Sequence, residues 1–191
     1  MRAFRTLVVL LLAASGVAAI AQSGTKAEVA LNYTYVHSNA PPGGCGCFSW
    51  NGGSAAAAWH FNDRFAVVGD FAGVYSGNLD SSGLSSTLVS YLFGPRYTYR
   101  LHQGKLIPYG QVLLGGAHAS NGYFPSGATS SSSANAFALT LGGGLDIAVT
   151  EHVAIRAGQV EYFYTRFPNG VNQDQNNLRV SAGVVLRFGS R

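Results

Sequence analysis

From about Lys26 onward, apolar and polar residues alternate with period two over stretches of roughly ten residues, the pattern of strands with one apolar and one polar face. The stretch NLRVSAGVVLRF shows it best. Leu178, Val180, Ala182, Val184, Leu186 and Phe188 share one face, and Asn177, Arg179, Ser181, Gly183, Val185 and Arg187 the other. In NAFALTLGGGLDIAV, Phe137, Leu139, Leu141, Leu145, Ile147 and Val149 stand against Ala138, Thr140, Gly142, Gly144 and Asp146. STLVSYLFGPRYTYR sets Val89, Tyr91, Phe93, Tyr97 and Tyr99 against Ser90, Leu92, Arg96 and Thr98. RFAVVGDFAGVY sets Phe65, Val67, Phe71 and Tyr75 against Ala66, Val68, Asp70 and Ala72, and KAEVALNYTYV sets Val29, Leu31, Tyr33 and Tyr35 against Glu28, Ala30, Asn32 and Thr34.

Three further stretches, GSAAAAWHF, LIPYGQVLLGGAH and VAIRAGQVEYFYTRF, alternate more weakly. The pattern leaves open which face of Leu106 to His118 points inward. In the third stretch Arg156 falls on the opposite parity from Gln159 and Glu161, so a β-bulge near Gly158 is needed to turn all three inward. The count is about eight strands, the smallest common membrane barrel.

The connections set an orientation. Asn62 to Arg64, His102 to Gly104 and Thr150 to His152 are short and polar. Ser38 to Gly52, Ser76 to Ser86, Ser120 to Asn135 and Pro168 to Asn176 are long and rich in Gly, Ser, Asn and Pro. Short and long alternate strictly, and membrane barrels have short periplasmic turns and longer outer loops. The expected fold is therefore all-β: an eight-stranded antiparallel transmembrane β-barrel with both termini in the periplasm and four extracellular loops. A secreted lipocalin-like barrel has the same period with the opposite sign, apolar inside and charged outside. Here charged residues are only 10% of the chain, and Asp70, Arg96, Asp146, Arg179 and Arg187 all fall on the polar face, which favours the membrane form.

The N-terminus reads as an address rather than a wall. Arg2 and Arg5 precede an apolar run from Leu7 to about Ala14, and small residues end in Ala19-Ile20-Ala21. This predicts a secretory signal peptide over residues 1–21, cleaved before Gln22, with the barrel domain over 22–191. A helical anchor needs about 20 apolar residues, and the run is well short of that. Without Arg2 and Arg5 the formal charge falls from +4 to +2, so the basic balance is partly the signal's and gives no support for nucleic-acid binding. Ten Tyr and eleven Phe argue against a disordered chain.

With the walls placed, the chain resembles the OmpA/OmpX-like family of small outer-membrane β-barrels across essentially all of Gln22 to Phe188. The features that carry the resemblance are YLFGPRYTYR, the strand GGGLDI, and the closing strand that ends in Val184-Val185-Leu186-Arg187-Phe188. The resemblance implies residence in the cell outer membrane, among outer-membrane lipid and lipopolysaccharide. It also implies that Phe188 serves as a terminal aromatic read by the outer-membrane assembly machinery, although Gly189, Ser190 and Arg191 follow it here.

Several constellations are candidates for chemistry. Asp70, Arg96, Asp146, Arg156, Glu161 and Arg179 are expected to form an interior polar network. Such a network is either a gated ion path or a plug of ion pairs, and a lumen of about eight strands favours the plug. Cys45-Gly46-Cys47 in the first long loop is a candidate disulfide in an oxidising compartment, with free thiols and then zinc as the lesser readings. His118-Ala119-Ser120-Asn121 resembles the His-x-Ser-Asn segment of outer-membrane lipid A deacylases, with Ser120 as nucleophile and His118 as its base. No acid lies between Lys105 and Leu145, and a loop-anchoring pair is the plainer reading.

Tyr33, Tyr35, Tyr75, Tyr97, Tyr99, Trp59 and Phe61 suit interfacial aromatic girdles. Phe48 and Trp50 serve either to stack sugars or to pack the first loop, and Ser130 to Ser133 is expected in a mobile loop. No cofactor is expected. The function expected is a structural outer-membrane barrel with an adhesion or surface-interaction role, its outer loops contacting surface ligands, neighbouring cells or envelope components; a lipid A deacylase-like hydrolase using His118 and Ser120 and a narrow pore are the alternatives.

Overall fold

The computed structural model describes residues 26–38, 48–79, 84–126, 129–168 and 173–189. Eight strands follow in chain order: β1 (Lys26–Ser38), β2 (Phe48–His60), β3 (Phe65–Leu79), β4 (Leu84–Thr98), β5 (Leu106–Ser126), β6 (Thr129–Ala148), β7 (Val153–Thr165) and β8 (Gln175–Phe188). Each pairs antiparallel with its sequence neighbour, and β1 closes on β8 from Ala27↔Phe188 to Ser38↔Asn177. Closure leaves no wall edge with unpaired backbone groups, which a strand-built wall in lipid requires.

The alternation becomes two surfaces. Leu31, Phe71, Tyr91, Phe93, Leu141 and Val184 stand on the outer wall, and Thr34, Val68, Asp70, Arg96, Thr140 and Arg179 are buried inside. For β5 the structure settles what the pattern left open: Ile107, Tyr109, Gln111 and Leu113 face inward, and Val112 and Leu114 face outward. On β7 the register slips between Arg156 and Gln159 against β8, so Ala157 and Gly158 together face Ala182. That bulge reverses the parity and brings Arg156, Gln159 and Glu161 to the interior, each no more than 2% exposed.

Two of the short turns are locked by one side chain each. Asn62 Oδ1 accepts from the backbone N–H of Arg64 and Phe65, both at 2.9 Å. Thr150 Oγ1 accepts from those of His152 and Val153 at 3.2 and 3.0 Å. These local bonds stabilise a reversal in the way Asn and Thr commonly do. The third short turn holds His102 and Gln103 at φ 49° and 58°, the left-handed region that L side chains disfavour.

The strands run further toward the opposite end than the sequence pattern indicates. β5 and β6 have 21 and 20 residues, so Ser130 to Ser133, expected in a mobile loop, lie in a paired strand with Phe124↔Ser131 and Pro125↔Ser130. A register shift between Ser120 and Phe124, with Asn121 at φ 60°, marks where this hairpin leaves the wall. Hydroxyl-rich segments carry no apolar face to reveal a strand, yet their backbones pair as well as any. Phe48 and Trp50 also lie in β2. Trp50 is buried, its Nε1 donates to Ser38 Oγ at 3.2 Å, and Phe48 packs against it, which removes the sugar-stacking reading for Trp50.

Candidate functional site

The interior charges gather into one layer that crosses the lumen. Glu161 and Arg179 are direct neighbours on β7 and β8, and Arg179 Nε donates to Glu161 Oε2 at 2.6 Å. Arg179 Nη1 reaches across the barrel to Asp70 Oδ1 on β3 at 2.8 Å. On its other oxygen Glu161 accepts from Gln111 Nε2 at 2.8 Å, and Gln111 Oε1 in turn accepts from Arg96 Nε at 2.8 Å. One hydrogen-bonded chain therefore joins β3, β8, β7, β5 and β4.

A second group lies beside it. Arg156 pairs with Asp146 through two bonds of 2.9 and 3.1 Å and donates from Nη1 to Gln159 Oε1 at 2.9 Å. Tyr109 Oη donates to the same Gln159 oxygen at 2.6 Å. The Arg96 and Arg156 guanidiniums lie 4.3 and 4.8 Å from the Tyr109 ring centroid, within cation–π range. Nearer the short-turn end, Glu28 faces His60 Nε2 at 3.1 Å and Arg187 Nε at 3.6 Å.

All six residues expected in the interior network are thus brought together: Asp70, Arg96, Asp146, Arg156, Glu161 and Arg179. Their pairing is uneven. Arg179 takes two carboxylates, whereas Arg96 has none within ion-pair distance among the described residues. The pattern along the chain missed Tyr109 and Gln111, because β5 carries apolar residues on both parities. It also gave no role to Glu28 and His60, although Glu28 lies on the polar face of its own strand.

Two glycines make the layer possible. Gly142 stands between Gln111 and Glu161 in register, and Gly144 between Tyr109 and Gln159. A Cβ at Gly142 would collide with Glu161, and one at Gly144 with the Tyr109 ring. The bonds from β5 to β7 pass over β6 at these bare positions.

His118 and Ser120 share the outward parity of β5, with His118 opposite Val89 and Asn135. The His118 ring meets Asn135 Oδ1 through Nδ1 at 2.8 Å, and the backbone carbonyl of Ser120 accepts from Ser86 Oγ at 2.7 Å. Among the described residues the group that orients His118 is therefore an amide, not an acid. Phe188 ends β8 opposite Ala27. Cys45 and Cys47 lie outside the described residues, and among those described no group of three His, Cys, Asp or Glu side chains is placed to hold a metal.

Outward aromatics gather toward both ends. Trp59, Phe61, Phe65, Tyr97 and Tyr99 stand near the short turns, where Phe65 and Tyr97 meet edge to face. Toward the other end the Tyr33 and Tyr35 hydroxyls bond Asn51 and Ser49 at 2.6 and 2.7 Å, and Tyr162 and Tyr164 donate to Asn176 and Asp174.

The family model described as outer membrane protein beta-barrel domain matches residues 6–188. Among solved structures, Ail, the attachment invasion locus protein of Yersinia pestis, is similar with a TM-score of 0.54 at 19% identity, over 86% of this chain and 99% of that one. The same protein in complex with the heparin analogue sucrose octasulfate aligns with a TM-score of 0.57 at 19% identity, over 86% and 99%. Neisserial surface protein A (NspA) aligns with a TM-score of 0.57 at 18% identity, over 88% of this chain and 98% of that one. At these identities the fold is what is shared. No curated protein matches the sequence.

Proposed function

The chain belongs to the outer membrane β-barrel domain family, and from that premise we propose that it is a non-conducting, non-enzymatic wall protein of the cell outer membrane that works through the surface at its long-connection end. The observation that carries this reading is the Asp70–Arg179–Glu161–Gln111–Arg96 chain. Its side chains cross the lumen and are almost fully buried, which supports a filled interior of the kind small barrels usually have. With the lumen closed, the surface left for function is outside.

That surface has a definite chemistry. The connections between strands at this end, 39–47, 80–83, 127–128 and 166–174, carry one cation among Lys and Arg, Arg166. This end is rich in hydroxyl and amide groups instead. Among the described residues β4 pairs with β5 only as far as Ser120, and β7 with β6 only as far as Ala138, so within that set the hairpin beyond them has open strand edges. Open edges and neutral hydrogen-bonding side chains suit a partner that pairs along a backbone or bonds through hydroxyls.

In this reading the short turns and both termini face the periplasm, residues 1–21 are a signal peptide, and Phe188 is read by the assembly machinery. Outer-membrane lipid and lipopolysaccharide surround the wall, and Cys45 and Cys47 form a local disulfide. Hydrolysis does not fit His118 and Ser120, because Asn135 stands where a carboxylate would orient the His, and that exchange costs such triads roughly 10⁴-fold in rate.

Planar-bilayer recording of the purified barrel, together with adhesion of cells displaying the full chain, tests the proposal. No current step above the lipid baseline is expected, and adhesion should drop when residues 121–135 are replaced by a two-residue turn. Discrete channel openings, or adhesion unchanged by that replacement, would overturn it.

A further inference from the structure

At the short-turn end a cavity of about 690 Å³ opens between the β2–β3 and β4–β5 turns, lined by Arg64, Thr98, Arg100 and Gln103 among others. Among the described residues neither Arg64 nor Arg100 has a carboxylate within ion-pair distance. Arg100 Nε is buried without a hydrogen-bond partner. Thr98, 4% exposed, has its Oγ1 in the same condition. One inward position deeper in β4, Arg96 Nη2 is also buried and unpartnered. Asp63 lines the cavity too, but it has an interaction of its own.

Unmet buried donors are rare in native proteins, and they point to a missing acceptor. Guanidinium groups donate and never accept, so the group that completes them must be anionic or strongly accepting. A planar guanidinium fork matches two oxygens of a phosphate, and a threonine hydroxyl adds a third donor. We propose that this mouth binds a phosphate oxyanion, held by Arg64, Arg100 and Thr98, carried either by a phospholipid headgroup or by free phosphate. The wall outside the cavity suits the lipid source: Tyr99, which lines it, and neighbouring Phe61 and Leu101 are exposed and apolar, where acyl chains would lie. The site does not depend on the function of the loops.

The test uses the full chain folded in a maltoside detergent, which carries no phosphate, with amide chemical shifts followed by NMR. Inorganic phosphate is titrated against chloride at matched ionic strength, and short-chain phosphatidylglycerol is titrated separately. Saturable shifts at Thr98 and Arg100 are expected, with affinity weakened at least tenfold in the Arg64→Gln/Arg100→Gln variant and partly restored by Arg100→Lys. The substitutions lie in or beside turns, and heat-modifiable gel migration checks that the variants fold. Tighter binding of phosphatidylglycerol than of phosphate identifies the lipid as source, and equal binding identifies the free anion. Absence of saturable shifts with either probe, or shifts unchanged in the double variant, would overturn the site.

Discussion

Gln111 donates a 2.8 Å hydrogen bond to Glu161 across β6, a strand to which neither residue belongs. The contact exists because Gly142 lies directly beneath it, paired with both. A side chain at that position would occupy the space through which the two groups meet, and the buried Glu161 carboxylate would lose a donor. Gly142→Val is therefore expected to destabilise the barrel by about 2–4 kcal/mol, the range for disrupting a buried charged hydrogen bond with added overpacking. Gly69→Ala, whose new methyl group meets nothing within 4 Å, serves as the control and should leave urea unfolding in detergent within about 0.5 kcal/mol of the parent.

The unequal pairing of the interior arginines ranks their substitutions. Arg179→Met strands Asp70 and Glu161 together and should cost about 3–5 kcal/mol. Arg96→Met removes a bond to a neutral amide and a contact with the Tyr109 ring, and should cost about 1–2 kcal/mol. Neither variant should alter bilayer conductance at voltages where the parent is silent. Adding Asp70→Asn and Glu161→Gln to Arg179→Met should recover much of the loss, measured by the same unfolding titration.

Gln103 is held at φ 58° in the β4–β5 turn, between His102 at φ 49° and Gly104 at φ 85°. Gln103→Gly should raise stability by about 0.5–1.5 kcal/mol, since the left-handed conformation costs an L residue that much more than glycine. A fall in unfolding midpoint would mean that the Gln103 side chain holds the turn more strongly than the strain opposes it.

Charge at the long-connection end sets which ligands fit. With Arg166 the nearest cation on the rim, and itself 3.8 Å from Asp174, a sulfated polysaccharide finds almost no positive field there. Cells that display the barrel, with only its long-connection end accessible, should bind no more heparin than cells without it in low salt, where unpaired surface charges act most strongly. Heparin binding that disappears in the Arg166→Gln variant would place a polyanion site at that rim after all.

Ser120→Ala should leave the mass of lipid A unchanged in membranes that contain the protein. A mass difference equal to one acyl chain between parent and variant would restore the hydrolase reading and give Asn135 the task of orienting His118.

Much of the wall was legible in the sequence because lipid imposes a strict rule on every second residue. Asp146 and Arg179 announced the interior by standing alone among apolar neighbours. The bulge at Gly158 was legible for a related reason: Arg156 and Glu161 cannot both face inward without it. What stayed hidden depends on more than one strand. Ile107 and Leu113 lie inside β5 beside Gln111, so that strand offers no contrast between its faces. That Asp70 would find Arg179, 109 positions away, follows from the stagger of the closed sheet and not from either neighbourhood. Likewise the Ser130 to Ser133 tract reads as loop until its partner strand is known.

Asp70 has a bearing on the order of assembly. Glu161 and Arg179 lie on the last two strands, and Gln111 and Arg96 on strands that can already be paired with them in an open sheet. Asp70 lies on the third strand, and in an open sheet it is far from the eighth. Its carboxylate meets a cation only when the first strand has zipped onto the last, so the latch and the seam complete together. A half-closed barrel would keep that carboxylate apart from its guanidinium, so the contact adds its stabilisation only to the fully closed sheet.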